Sequence, residues 1–188
     1  MITIRNELSK DVAAREALLD LSFGDARYAK PSERLREGRR PADGLSFVAC
    51  DRAGIIGPVL LWHVSAGAGH PAVLLGPLAV HPDFRNRGIG SALMGRALDD
   101  ARALGHGAVL LVGDQPYYGR FGFSTERTGG LWLPGRYDPQ RFLALELKPG
   151  ALDGAHGLVT GTGRPLQRRP LSTRIAGSRP QQRLPRAA

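Results

Sequence analysis

The chain has only one cysteine among its 188 residues, which excludes an internal disulfide. Cys50 ends the apolar segment SFVAC, and no histidine or acidic residue stands around it at the spacing of a metal site. We therefore expect Cys50 to fill space among apolar neighbours, and we expect no metal cofactor.

Long apolar runs are also absent. No stretch approaches the roughly 20 residues that a membrane-spanning helix requires. The first residues, MITIRNELSKD, contain no apolar core of a secretion signal. These absences predict a cytoplasmic protein without a membrane partner. The length of 188 residues fits one domain with a single core.

Acidic residues are missing from the end of the chain. Between Gly157 and Ala188 there are seven arginines and no aspartate or glutamate, so this segment supplies most of the formal net charge of +9. Its content of Pro, Gly, Gln and Arg predicts a flexible basic tail at residues 156–188, after a folded domain at residues 1–155. Nucleic-acid contact through the arginines is the alternative. No aromatic residue is interleaved with them to stack on bases, so we expect a solvated extension and no nucleic-acid partner.

The rest of the chain alternates between helical and strand patterns. Ser9 is expected to cap a helix in KDVAAREALLDLSF, a short helix follows around SERLREG, and the longest helical pattern is IGSALMGRALDDARALG. Strands are expected in five apolar segments: LSFVAC, IIGPVLLWHV, AVLLGPLAV, AVLLV and RFLALEL. Pro58 is expected at a bulge or a sheet edge. This order predicts an α/β protein of the α+β type, a mixed and mostly antiparallel sheet with helices on both faces.

The segment PDFRNRGIGSAL places two glycines and two arginines where a strand passes into the longest helix. The first amides of a helix have no partner inside it and attract anions. Gly88 and Gly90 carry no side chain that would hold a ligand away from these amides, and Arg85 and Arg87 add positive charge. The segment therefore suits a pyrophosphate. A P-loop would need a lysine, and a dinucleotide fingerprint would need a third glycine where Leu93 stands. A helix start without a ligand is the alternative.

A second segment, GDQPYYGRFGF, follows the next apolar strand. Together with HPDFRNRGIGSAL it resembles the GNAT superfamily of acyl-CoA-dependent N-acetyltransferases. Arg85, Gly88 and Gly90 match the phosphate loop of that family. Residues 117–123 match its second motif, an aromatic residue, Tyr, two residues, an apolar residue, Gly and Phe. The resemblance covers roughly residues 1–148 and is closest to a subgroup of small bacterial members known as YhbS-like.

The resemblance implies the GNAT fold, in which two adjacent parallel strands splay apart to hold coenzyme A. It also implies acetyl transfer from acetyl-CoA to an amine, by direct attack in a ternary complex. The pantetheine arm would pair with a strand edge, and the pyrophosphate would bind the loop that follows. The residues implied to bind acetyl-CoA are Leu78, Ala79, Val80, Arg85, Asn86, Arg87, Gly88, Ile89, Gly90, Ser91 and Tyr118.

The resemblance also implies the catalytic roles. An amide near Leu78 would stabilise the oxyanion, and Gly76 or Pro77 would mark the bulge that starts the splay. Tyr118 would be the catalytic residue that gives a proton to the departing thiolate, with Tyr117 as its competitor for the inward orientation.

Two residues near the expected site, Asp114 and His63, each have two possible roles. Asp114 either contacts the substrate or caps the short helix after it, and His63 either serves as the base or packs structurally. Because LLGPLAV contains no acid, the base is unassigned.

The acceptor amine is not specified by the sequence, and a small molecule or a peptide is expected. Tyr28, His63 and Trp132 are expected to contact it. Their neighbours Arg34, Trp62 and Tyr137 are further candidates. The protein is expected to be a monomer or a homodimer. An acyl-CoA-binding sensor or interaction module without catalysis, whose basic tail contacts nucleic acid, is the alternative function.

Overall fold

The computed structural model describes residues 1–166. The helices of this part are α1 (Val12–Phe23), α2 (Pro31–Arg34), α3 (Ile89–Ala103) and α4 (Gln115–Tyr118). The strands are β1 (Thr3–Asn6), β2 (Ser46–Cys50), β3 (Ile55–Ser65), β4 (Pro71–Leu78), β5 (Ala108–Val112), β6 (Leu131–Trp132), β7 (Phe142–Glu146), β8 (Gly157–Leu158) and β9 (Thr160–Gly161).

The main sheet has the order β1-β2-β3-β4-β5-β7, and β9 also pairs with β3. Adjacent strands along this order are antiparallel, except for β4 and β5, which are parallel. Val59 and Leu61 of β3 join Leu93 of α3 in one buried cluster. The intervening Leu60 faces the opposite side, where it lies near Leu19 of α1. The predicted mixed sheet with helices on both faces is confirmed.

A bulge interrupts β4 beside Gly76 and Pro77. Val59 of β3 pairs with Leu78, whereas Leu61 pairs with Leu75, so β4 contains an extra residue between these two pairs. Pro58, predicted at a bulge or a sheet edge, instead pairs with Val48 in the central strand β3, one residue before this irregularity. The bulge changes which way the last residues of β4 face.

The parallel strands β4 and β5 separate towards their carboxyl ends. They pair only at Val73 with Val109 and at Leu74 with Leu110, although β4 continues to Leu78 and β5 to Val112. Beyond these pairs the edge of β4 that faces β5 is open. The predicted splay is therefore present, and a cleft opens between the separated strand ends.

The start of the first helix differs from the prediction. The chain forms a 3-10 turn at Ser9–Asp11 before α1, and the Ser9 side chain makes no cap hydrogen bond. The Asp11 carboxylate instead accepts hydrogen bonds from the amide of Leu8 at 2.8 Å and from Nη1 and Nη2 of Arg5. These bonds, those from Arg5 first, lower the pKa of Asp11 to about 2.

Residues 157–166, which the sequence assigned to the tail, are part of the folded structure. β8 pairs with β6, and β9 pairs with Val64 and Ser65 of β3. Val159 between them is completely buried. The folded domain therefore extends beyond residue 155, at least to Leu166, because this segment completes the apolar cluster under the sheet. The remaining residues of the predicted tail lie outside the described residues. Among residues 1–166, no helix is long and apolar enough to cross a membrane.

Val159 and its neighbour Leu158 test the role of this segment. Val159→Asp is expected to lower the free energy of unfolding by about 3 kcal/mol or more, because it places an unpaired charge in the core. Leu158 is 42% exposed, so Leu158→Asp should leave the unfolding midpoint close to wild type. Denaturant unfolding measures both. Equal, small effects would show that the segment does not contribute to stability.

Candidate active site

A cleft opens where β4 and β5 separate, and it has three connected parts. The loop cavity lies between Arg85, Gly90 and Tyr117. The strand cavity shares these three residues and continues along Leu78 to Tyr118. The cationic cavity shares Leu78 and Tyr118 and reaches the segment between α1 and β2. A ligand can therefore extend from the loop past the strand edge into the cationic cavity.

The loop cavity offers unpaired backbone amides. The first helical bond of α3 at this end runs from the amide of Ala92 to the oxygen of Gly88. Within residues 1–166, the amides of Ile89, Gly90 and Ser91 have no backbone acceptor. Gly88 has φ +75°, the left-handed conformation that glycine adopts at little cost. The helix dipole adds to these donors, so the loop can bind a phosphate.

The absence of a side chain at Gly90 leaves room for the hydroxyl of Tyr117. A Cβ atom on Gly90 would lie 2.9 Å from the hydroxyl oxygen of Tyr117, in the cavity where the free amides point. The structure therefore explains the second glycine of the loop through packing as well as through ligand access.

The two arginines of the loop have different surroundings. Arg85 lines the loop and strand cavities, and its Nε lies 3.4 Å from the carbonyl oxygen of Val80. Arg87 instead stacks over the ring of Phe84 at 5.1 Å and does not line the loop cavity. The other predicted loop residues, Asn86, Gly88, Ile89, Gly90 and Ser91, do line it.

The end of β4 and the residues after it present free amides to the strand cavity. The amides of Ala79 and His81 donate to the oxygens of Pro58 and Ile56 in β3. Because alternate amides of an extended chain point in opposite directions, those of Leu78 and Val80 point into the splay. Leu78, Ala79 and Val80 all line this cavity, as predicted. This edge can pair with an amide-bearing ligand.

Tyr118 lies at the junction of the strand and cationic cavities. Its ring packs directly against Gly113, where a Cβ atom would overlap the ring. Its hydroxyl forms no hydrogen bond with any described residue. Burial, with the nearby Tyr117 and Asp114 as smaller causes, raises the pKa of Tyr118 to about 12. The hydroxyl is therefore a proton donor throughout the neutral pH range.

Tyr117 and Tyr118 differ in orientation, although their rings are in edge contact at 4.9 Å. The hydroxyl of Tyr117 points towards Gly90, and the guanidinium of Arg120 lies 4.6 Å from its ring centre. Tyr117 lines the loop and strand cavities but not the cationic cavity. Of the two, only Tyr118 lines both the strand edge and the cationic cavity.

The cationic cavity has a volume of about 220 Å³. Four cations line it, and so do the carboxylates of Glu33 and Asp114. The cations are Arg27, Lys30, Arg36 and Arg141. Asp114 precedes α4 at the cap position without making a side-chain cap bond, and it pairs with Arg141 at 3.2 Å.

Comparison with known proteins identifies the family. A sequence model of the acetyltransferase (GNAT) domain matches residues 42–125. The chain is 34% identical over 161 residues to the uncharacterized N-acetyltransferase YhbS of Escherichia coli K12, an alignment that covers 83% of this chain and 93% of that protein. The chain belongs to the GNAT superfamily of N-acetyltransferases. The predicted resemblance to YhbS-like members is confirmed.

Solved GNAT structures show the same fold. The crystal structure of YhbS from Escherichia coli in complex with CoA has a TM-score of 0.72 and 33% identity, over 85% of this chain and 89% of that one. A GNAT acetyltransferase from Brucella melitensis in complex with acetyl-CoA has a TM-score of 0.63 and 26% identity, over 85% and 95%. The predicted GNAT fold is confirmed.

The structure does not bring the three predicted acceptor residues of this GNAT chain together. Tyr28 lies beside Arg27, at a smaller cavity that adjoins the cationic one. His63 packs against His106 at 5.4 Å, and neither His63 nor Trp132 lines any part of the cleft. The side chain of His63 faces α3 because it alternates in phase with Val59 and Leu61, so it is not placed to act as the base. Trp132 is 52% exposed on β6.

The further acceptor candidates have structural partners. The indole nitrogen of Trp62 donates to the oxygen of Gly76 at 2.6 Å. Tyr137 packs edge-on against Phe142. Arg34 approaches Gly135, away from the cationic cavity. These contacts explain the three side chains without a ligand.

Several residues of the GNAT cleft were not predicted. Ser22 and Phe23 at the end of α1 line the strand cavity, and Gly113 positions the ring of Tyr118. The glycine before Asp114 was a signal for close packing at the end of β5. Arg36 gave no signal, because it follows α2 in a polar segment.

Proposed function

We propose that this GNAT protein transfers the acetyl group of acetyl-CoA to a primary amine, by direct attack in a ternary complex. The observation that carries the proposal is the position of Tyr118. Its hydroxyl, which has no hydrogen-bond partner in residues 1–166, lies where the strand cavity meets the cationic cavity. The relatives crystallised with CoA and acetyl-CoA support the choice of donor.

The residues of the cleft fit acetyl-CoA along its length. The free amides of Ile89, Gly90 and Ser91, with the charge of Arg85, suit its pyrophosphate. The amides of Leu78 and Val80 suit the amide groups of its pantetheine arm, which would add to the sheet as a peptide does. The thioester would then lie beside Leu78 and Tyr118.

The chemistry requires a proton for the leaving sulfur and the removal of protons from the acceptor nitrogen. As the amine nitrogen bonds to the thioester carbon, the amide of Leu78 donates a hydrogen bond to the carbonyl oxygen and stabilises its developing charge. The carbon–sulfur bond breaks, and Tyr118 gives its hydroxyl proton to the leaving thiolate. The acceptor nitrogen must also lose protons: as the amide forms it passes one to solvent, and an acceptor that binds as an ammonium first gives up another before it can attack. Asp114 is the carboxylate that lines both the strand and the cationic cavities, and we assign it as the acceptor of that proton.

Substitution of Asp114 tests this assignment. Asp114→Asn is expected to lower kcat/KM for the amine at least about 10-fold at neutral pH, because an ammonium group must be deprotonated before it attacks. The loss should shrink as the pH rises, since solvent then deprotonates more of the amine. Asp99→Asn is the control, because Asp99 is exposed on α3 and pairs only with Arg102 in the described structure. A loss that does not vary with pH would show that Asp114 is not the base.

Initial-velocity kinetics test direct attack. Double-reciprocal plots with acetyl-CoA and an amine are expected to intersect, because both substrates must be bound before the acetyl group moves. Cys50, the one cysteine of the chain, lies in β2 and does not line the cleft. Parallel lines would indicate a covalent acetyl-enzyme and contradict the ternary complex.

A further inference from the structure

The side chain of Arg36 is the most unusual group in the cationic cavity. It is 7% exposed, and its Nε has no hydrogen-bond partner in residues 1–166. Its one ion pair there joins Nη2 to Glu33 at 2.7 Å. A buried charge with one partner is costly, so an anionic group of a ligand that reached Nη1, the guanidinium nitrogen beside Gly76, would stabilise this arrangement.

The other cations of the cavity differ in how well they are neutralised. Arg27 is bound by Glu16 at 2.5 Å and by Asp20 at 2.8 Å, and Arg141 is bound by Asp114. Lys30 forms no ion pair with any described residue and lies over the ring of Phe23 at 4.7 Å. Burial, and secondarily the charges of Arg36 and Arg141, lower the pKa of Lys30. Of the four cations that line the cavity, Lys30 is therefore the one that no carboxylate of residues 1–166 pairs with.

We propose that the acceptor is a small amine bearing an anionic group, a carboxylate or a phosphate, which binds beside Arg36 and Lys30 while the amine faces the thioester. This inference rests on the proposed function and specifies its substrate class. Guanidinium groups bind carboxylate and phosphate oxygens through paired hydrogen bonds, and a lysine adds a point charge.

The position of Arg36 limits the length of this acceptor. Its Nη1 lies 3.8 Å from the place that a Cβ on Gly76 would occupy. Gly76 is two residues before Leu78, a separation of at most about 7 Å, because even a fully extended chain rises only about 3.4 Å per residue and the bulge shortens it. The anion and the reacting nitrogen are therefore separated by only a few bonds, as they are in a free amino acid or an aminoalkylphosphonate. A polyamine would instead bring positive charge to this cavity.

A substrate panel tests the inference from the ligand side. Thiol release from acetyl-CoA is measured with free amino acids, their carboxamides, aminoalkylphosphonates of matched length and spermidine. We expect kcat/KM to be at least about 30-fold higher for the best anionic amine than for its uncharged carboxamide. Preference for the carboxylate or for the phosphonate identifies the anion, and either supports the inference. Equal rates for amino acid and carboxamide, or preference for spermidine, overturn it.

Variants test the same inference from the protein side. Arg36→Gln and Lys30→Gln are each expected to raise the KM of the anionic acceptor at least about 10-fold and to leave the Kd of acetyl-CoA unchanged. Lys10→Gln is the control, because Lys10 is exposed outside the cleft. If Arg36→Gln does not fold, Lys30→Gln and the substrate panel still test the inference, because Lys30 is exposed. An unchanged KM in Lys30→Gln overturns the inference. Acetyl-CoA binding without acetylation of any amine overturns the proposed function instead.

Discussion

Replacing Tyr118 by phenylalanine is expected to lower kcat about 100-fold while the Kd of acetyl-CoA stays near the wild-type value. The variant keeps the ring that packs against Gly113 and loses only the hydroxyl. The thiolate would then leave without a proton from the enzyme. Steady-state thiol release with a saturating amine measures kcat, and calorimetric titration measures the Kd.

Tyr117→Phe is the matched control for this experiment. The hydroxyl of Tyr117 points to Gly90 and not to the junction with the cationic cavity, so kcat should change less than about 3-fold. If Tyr117→Phe loses more activity than Tyr118→Phe, the assignment of the proton donor is reversed.

The pH dependence of the wild-type enzyme follows from the raised pKa of Tyr118. A phenol with a pKa of about 12 is protonated at every pH below about 11. Ionisation of Tyr118 therefore does not limit kcat between neutral and mildly alkaline pH, and the ratio of wild-type to Tyr118→Phe activity should stay constant over that range.

Gly90→Val is expected to weaken the binding of acetyl-CoA at least about 30-fold, as measured by calorimetric titration. The new side chain would collide with the Tyr117 hydroxyl and cover the free amides at the start of α3, so the pyrophosphate would lose charge-assisted hydrogen bonds. The unfolding midpoint should change little, because the affected side chains border the open loop cavity.

Gly95→Val makes the same change five residues further along α3, where a Cβ atom meets no other atom within 4 Å. Its Kd for acetyl-CoA should match the wild type. If both variants bind equally well, the loop does not hold the pyrophosphate.

The sequence predicted most of the residues that line the loop and strand cavities, because these cavities depend on local structure. The amides at a helix start and the glycines that expose them lie within one short segment, from Arg85 to Ser91. The position of the Tyr118 ring is likewise local, because the ring packs against Gly113, five residues earlier in the turn after β5. Arg87 is the exception, since its stacking on Phe84 depends on the path of the loop and not on the residue pattern.

The lining of the cationic cavity could not be predicted, because it depends on contacts between distant segments. The face of β3 that His63 occupies is set by the phase of the strand, which the sequence did not define. Arg36 reaches the cleft only because the segment after α2 packs beside the bulge at Gly76. The role of Val159 was hidden for the same reason, since a polar, glycine-rich segment contributes one residue to the core.

The central claim, acetyl transfer to an amine in this cleft, is tested most directly by counting products in one reaction. Free thiol is quantified by a colorimetric reagent, and the acetylated amine is quantified by mass spectrometry. We predict equal amounts of both with wild type and a strongly reduced amount of both with Tyr118→Phe. Thiol release without acetylated amine, or binding of acetyl-CoA with neither product for any amine, would contradict the claim.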